Sequence, residues 1–259
     1  MQILTYHKVG PKFDLGITHQ SQNQFYTQLK NLKEEGFSTV SLEKAGNPQE
    51  NSSPKSFAIT FDDGYENIYT YAFPILQELG YTATVFMVTG FTGKYNSWDF
   101  NFGRRGFKHL NWEQIKEMSK YGISFGSHTV NHPDLTKLDR KYVEYELRNS
   151  KQALEEKLGQ EVKFFSYPFG KYNSSIREEV KIAGYQNAFT LSSNGSAKNF
   201  DPYAITRIGV YRFDTLLSLK IKLEGGFWYG LENLKGNLIN RLSYGTSIVK
   251  AKPKYNALN

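Results

Sequence analysis

Two adjacent carboxylates, Asp62 and Asp63, follow the apolar run Ala58-Ile-Thr-Phe and precede Gly64. Like charges this close raise each other's pKa in an apolar setting, so a bound cation is the simplest way to keep both ionised. The plainer alternative is a polar strand end in which one of the two caps the next helix. A second chemically loaded stretch is Ser127-His-Thr-Val-Asn-His-Pro133, where His128 and His132 stand four apart. The residue before a proline avoids helical geometry, which places this pair on a strand-to-loop segment and not within a helix. Two imidazoles and a carboxylate form a common open metal site that leaves positions for water. The chain has no cysteine, so any metal must sit on His, Asp or Glu, and thiol nucleophiles and disulfides are excluded. Of its five histidines, His19 and His109 read as loop or surface residues.

Groups of this kind need rigid elements to converge. Short apolar runs at Gln2–His7, Phe37–Leu42, Phe57–Phe61, Thr82–Val88, Ile123–Ser127, Val162–Tyr167, Gln186–Leu191 and Ile208–Tyr211 read as strands. Helical patterns separate them. Ser21 with Gln24 makes a capping-box pattern ahead of Phe25, Leu29 and Leu32, and Gly36 ends that helix. Asn111 opens a helix that Gly122 closes. The cleanest stripe is Val143, Leu147, Ser150, Leu154 and Leu158, beginning near Asp139 and ending at Gly159. Strands alternating with helices imply parallel pairing through right-handed crossovers. About seven or eight such units in roughly 220 residues predict an α/β fold, a closed or nearly closed (β/α) barrel with about seven strands. In such a fold the strand ends that carry Asp62, Asp63, His128 and His7 share one rim.

Residues 1–225 are expected to form this barrel and 226–259 a basic C-terminal extension. Residues 215–259 hold seven Lys/Arg against two acids, which concentrates most of the formal charge of +7 there. That tail could meet an anionic membrane surface, although lysines at a chain end are more often simply solvated. Nucleic-acid binding has no support beyond net charge. No apolar run approaches the ~20 residues of a membrane span. Met1–Pro11 lacks a basic opening and an apolar signal core, which predicts a cytoplasmic or membrane-peripheral location, or export if a leader has been removed. The stretch Gly90–Lys108 reads as a long loop, either a tolerated insertion or a site-lining segment whose Trp98, Phe100, Phe102 and Phe107 stack on sugar rings. Trp112 reads as a core residue.

TFDDG at 60–64 and SHTVNHP at 127–133 resemble, in order and spacing, the first two motifs of the polysaccharide deacetylase superfamily, the NodB-homology group. The resemblance spans roughly Met1 to Tyr211 and is closest to the permuted poly-N-acetylglucosamine deacetylase-like branch. It implies a distorted (β/α) barrel that removes N- or O-acetyl groups from an acetylated glycan with one divalent metal, usually zinc. By position, Asp63, His128 and His132 resemble the metal ligands and Asp62 the general base. The third motif, Arg-x-Pro-Tyr, is here Ser166-Tyr167-Pro168-Phe169. The Phe169 N–H and Tyr167 would then border the oxyanion and substrate, and Arg207 or Lys171 would stand in for the absent arginine. The C-terminal histidine that serves most members as general acid is also absent, and His7 in the opening TYHKV takes its place by analogy with the permuted branch.

Other classes fit less well. A two-histidine, one-carboxylate oxygenase would lack its His-x-Asp/Glu pair and leave Asp62 without a task. A phosphotransferase would lack a phosphate-cradling loop. A non-catalytic glycan-binding relative is the main alternative, since loss of the motif arginine is also what decay produces.

Overall fold

The computed structural model describes residues 1–11, 17–46, 53–96, 106–191 and 200–225, with Tyr229, Gly230, Glu232, Leu234 and Gly236 beyond them. Strand β1 (Gln2–Tyr6) belongs to the main sheet. The two-residue strands β2 (Lys8–Val9) and β3 (His19–Gln20) pair with each other outside it. Strand β4 (Ser38–Thr39) runs beside the start of β5 (Ser56–Phe61), which is followed by β6 (Thr84–Met87) and β7 (Ser124–Ser127). Then come β8 (Phe164–Ser166), β9 (Asn187–Thr190), β10 (Ile205–Thr206) and β11 (Ile208–Gly209).

Every pairing in the main sheet is parallel, in the order β10-β9-β8-β7-β6-β5-β1-β11. The ends of that order are one continuous piece of chain. Ile205 and Thr206 pair with β9, Ile208 and Gly209 pair with β1, and Arg207 sits between them. The sheet therefore closes on itself through the covalent backbone, giving the distorted (β/α) barrel that the alternation predicts. The strand tally rises to nine because this closing segment serves two neighbours in turn, a division that no apolar periodicity marks.

The crossover helices are α1 (Gln22–Glu34), α2 (Leu42–Ala45), α3 (Phe73–Leu79), α4 (Trp112–Lys120), α5 (Arg140–Leu158), α6 (Ser174–Ile182) and α7 (Leu216–Glu224). At α4 the capping box is complete, with Asn111 and Gln114 exchanging side-chain bonds for each other's backbone N–H. At α1 it is half made. Ser21 accepts from the Gln24 N–H, but the Gln24 amide donates to Arg212 O and Asp214 O, tying the helix to the segment after β11. Helix α5 ends on Gly159, whose φ of 68° is left-handed and closes the last turn at little cost.

Strand alternation sorts the sheet residues into two sets. Leu4, Tyr6, Phe57, Ile59, Phe61, Val85, Met87, Phe125 and Phe165 belong to the large core shared with the helices. Ile3, Ala58, Phe86, Phe164 and Phe189 form a separate small cluster with Leu42. Continuing the period of two along each strand leads from this small cluster to Thr5, Thr60, Asp62, His128 and Ser166, a polar layer above an apolar plug. Gly126 lies on the same face of β7. A Cβ there would stand 2.6 Å from Phe86 Cε1, so the plug leaves room for no side chain. Among the described residues, no helix is long and apolar enough to cross a membrane.

Candidate metal centre and active site

Asp63, His128 and His132 are buried, and one ligand atom from each lies within 4.8 Å of the other two. The Asp63 Oδ1 stands 3.7 Å from His128 Nε2 and 3.4 Å from His132 Nε2. His128 Nδ1 lies 2.7 Å from Ser166 O. A carbonyl can only accept, so Nδ1 carries the hydrogen and Nε2 presents its lone pair toward Asp63. That tautomer suits a metal ligand oriented by a backbone carbonyl. The donor set of two imidazoles and one carboxylate fits a divalent cation of the borderline type.

Alternation alone would send Asp63 to the face opposite Asp62. The backbone prevents this, because Asp63 and Gly64 are both left-handed, with φ of 68° and 67°. The other non-glycine residues with positive φ among those described are Thr129, His132 and Phe169, at 72°, 55° and 59°. Each such conformation costs of order 1–3 kcal/mol, and all of them fall on the three segments that the sequence motifs mark. The strain is held by buried side chains. Glu146 on α5, fully buried, accepts from the Val130 N–H at 2.7 Å, the Asn131 N–H at 2.9 Å and the Asn131 side-chain amide at 2.8 Å. These donors lie between His128 and His132 in the chain. The Thr129 hydroxyl accepts from the His132 N–H at 2.9 Å.

Asp62 is 2% exposed and faces Arg207, 1% exposed. Arg207 Nη1 donates to Oδ1 at 2.8 Å and Nη2 to Oδ2 at 2.7 Å. The same guanidinium donates to Thr60 Oγ1 and Ser166 Oγ. Burial by itself would raise the Asp62 carboxyl. The charge and hydrogen bonds of Arg207, with smaller help from His128 and His7, outweigh it and hold the pKa at about 2. Lys171, the other candidate to replace the motif arginine, is engaged elsewhere, donating to Asp134 Oδ2 at 3.0 Å.

His7 follows β1 directly. The register Tyr6↔Phe61 and the bond from the Asp62 N–H to Tyr6 O place it beside Asp62. Its Nδ1 is buried and has no hydrogen-bond partner among the described residues. Burial pushes its pKa from 6.5 to about 4, against the pull of Asp62, with Arg207 and Lys8 adding to the lowering. Phe169 lies in a turn at Pro168–Gly170, with its ring 4.7 Å from that of His132. Tyr167 is placed otherwise than expected for a substrate group. Its side chain is fully buried against Phe165, and its hydroxyl donates to Tyr203 O. The ring of Tyr167 instead backs that of Tyr172, stacked at 4.9 Å and 22°, and Tyr172 is 36% exposed.

His19 and His109, read above as loop or surface residues, are both buried. His109 Nδ1 lies 2.8 Å from Asp63 O. Sequence reasoning missed His109 and Glu146. Glu146 does leave a sign, an acid on the apolar face of α5 three residues after Val143. His109 leaves none, because its partner is brought to it by a return of chain after the long loop. Trp98, Phe100 and Phe102 lie outside the described residues, as does most of 226–259. Phe107 is described and lies 4.2 Å from Lys8 Nζ, while Trp112 packs against the main core.

Known proteins resemble this chain over most of its length. The profile of the polysaccharide deacetylase family matches residues 49–188, which include all three putted-together segments of the site but neither His7 nor Arg207. YxkH of Bacillus subtilis (strain 168), which carries a polysaccharide deacetylase name, is 31% identical over 213 residues, covering 81% of this chain and 71% of that protein. The poly-beta-1,6-N-acetyl-D-glucosamine N-deacetylase of Staphylococcus aureus (strain MSSA476) is 30% identical over 199 residues, 73% of this chain and 66% of the relative. The structure of Streptococcus pyogenes deacetylase PplD in complex with acetate superposes with a TM-score of 0.74 at 28% identity, covering 86% of this chain and 98% of that one.

Proposed function

The chain belongs to the polysaccharide deacetylase family, and on that premise we propose that it is a metal-dependent hydrolase removing N-acetyl groups from an amino-sugar glycan. The observation that carries the proposal is the juxtaposition of a ligand carboxylate, Asp63, with a second carboxylate, Asp62, that Arg207 keeps out of the ligand set. Adjacent acids thus have separate tasks.

A divalent cation, zinc by donor type, held by Asp63, His128 and His132 would polarise the acetyl carbonyl and acidify a water molecule. Asp62, ionised at any working pH, accepts the proton of that water as its oxygen attacks the carbonyl carbon. The Phe169 N–H, turned by its left-handed backbone, supports the carbonyl oxygen as charge develops there. His7, brought beside Asp62 by the pairing of β1 with β5, takes the proton on from Asp62. The C–N bond then breaks, His7 protonates the leaving amine, and acetate and a free amino sugar result. Tyr172, supported from behind by Tyr167, offers a flat surface for a neighbouring sugar ring.

Acetate release from N-acetylglucosamine oligomers tests the proposal. The wild type should release acetate, chelator should abolish release, zinc should restore it, and Asp62→Asn should lose it while retaining bound metal. A protein that binds the oligomers and metal but releases no acetate would be a glycan-binding relative. Near-wild-type release by Asp62→Asn would remove Asp62 as the base.

A further inference from the structure

We propose that His109 is a positioning residue for the cation site, fixing the Asp63 backbone and so holding its carboxylate toward His128 and His132. The inference rests on the metal-centre reading above and assigns a residue that the sequence pattern does not single out.

The Asp63 carbonyl receives the His109 Nδ1–H at 2.8 Å, and since a carbonyl only accepts, the ring tautomer at this nitrogen is settled. The ring cannot swing away. It is fully buried, with its centroid 4.9 Å from the Tyr65 ring and 5.8 Å from the Phe91 ring. The backbone around it is equally held. Leu110 N–H donates to Gly64 O, Glu66 N–H to Lys108 O, and Tyr65 and His109 form an antiparallel bridge. On its other side, the same segment receives the Gly93 N–H on Leu110 O and gives the His109 N–H to Lys94 O. His109 is thus the point where the base of the long loop is bolted to a metal ligand.

The need for such a bolt follows from Asp63 itself. Its φ of 68° is unfavourable for a residue with a Cβ, and relaxing it would carry the carboxylate back toward the strand's outer face. A hydrogen bond to the carbonyl of the strained residue opposes that rotation before any cation arrives. Outer partners of metal ligands act in this way, and losing one typically costs about 10–100-fold in metal affinity.

Zinc affinity, measured by competition with a chromophoric chelator, and the cobalt(II) absorption spectrum test the assignment without reference to turnover. His109→Phe keeps a buried ring but no donor, and it should weaken zinc binding by about tenfold or more and alter the cobalt spectrum. His109→Asn places an amide N–H near the position of Nδ1 and should restore both. Wild-type zinc affinity in His109→Phe, or an equal loss in His109→Asn, would overturn the proposal. Absence of zinc binding by the wild type would instead overturn the metal-centre reading, and it would be seen before any variant is made. Should His109→Phe not fold, nitrogen NMR of the wild-type imidazoles replaces it. In the metal-free protein His109 should be the Nδ1–H tautomer with a slowly exchanging proton, and an Nε2–H tautomer or a rapidly exchanging Nδ1 proton would refute the role.

Discussion

Arg207 and Asp62 stand 145 residues apart in the chain and meet in a two-pronged fork, Nη1 to Oδ1 and Nη2 to Oδ2, at 2.8 and 2.7 Å. The guanidinium comes from the seam of the barrel and not from the end of β8, where the family motif has its arginine and this chain has Ser166. Ser166 Oγ accepts from the same guanidinium at 2.7 Å, so the substituted position still helps to aim the replacement.

Removing this arginine should expose two effects together. Arg207→Met leaves a buried carboxylate without its counter-charge, which destabilises by about 3–5 kcal/mol and raises the Asp62 pKa. Urea unfolding reads the first effect. The second should appear as an acid limb of kcat/KM displaced to higher pH. Arg207→Lys should fall between, because an ammonium cannot form the fork.

His7 predicts a stability profile. Its folded-state pKa of about 4 lies below the ordinary 6.5, so the unfolded chain binds the extra proton first. Stability is then lost as pH falls from about 6.5 toward about 4. His7→Asn should flatten that slope in unfolding experiments run with chelator present. On substrates, the same variant should slow amide hydrolysis more than hydrolysis of esters with good leaving groups, which need no protonation.

Glu146 should matter to the metal without touching it. Glu146→Ala strands the Val130 and Asn131 donors, each at a cost of about 1–3 kcal/mol. The melting temperature should fall, and the stabilisation conferred by added zinc should shrink. Glu146→Gln, which keeps an acceptor, should lose less on both counts. Equal zinc stabilisation in Glu146→Ala and wild type would show that the loop needs no fastening.

Tyr172 should govern substrate length. Its ring is backed by Tyr167 and exposed on the surface, and base-free stacking of a sugar ring on such a face is sensitive to truncation. Tyr172→Ala should raise KM for oligomers more than for a monosaccharide, with kcat little changed. Tyr172→Phe should behave as wild type.

Much of the site was legible because it lies on strand ends. Asp62, Asp63 and the His128–His132 pair declare themselves by local spacing, and parallel topology carries them to one rim. Arg207 was nameable only as one of two options, since choosing it over Lys171 requires knowing that the chain crosses from β9 to β1 at that residue. His109 and the half-made cap at Gln24 were read wrongly for a common reason. Both side chains are committed to backbone groups that are remote in sequence, and local propensity says nothing about such partners. Tyr167 is the reverse case, a motif residue whose ring lies in the core.

The seam at Ile205–Gly209 also sets an order of events. When residue 132 is added to the growing chain, all three candidate ligands have been made, while Arg207, the partner of Asp62, lies 75 residues further on. The Asp62 carboxylate therefore gains its counter-charge only from the stave that completes the cask.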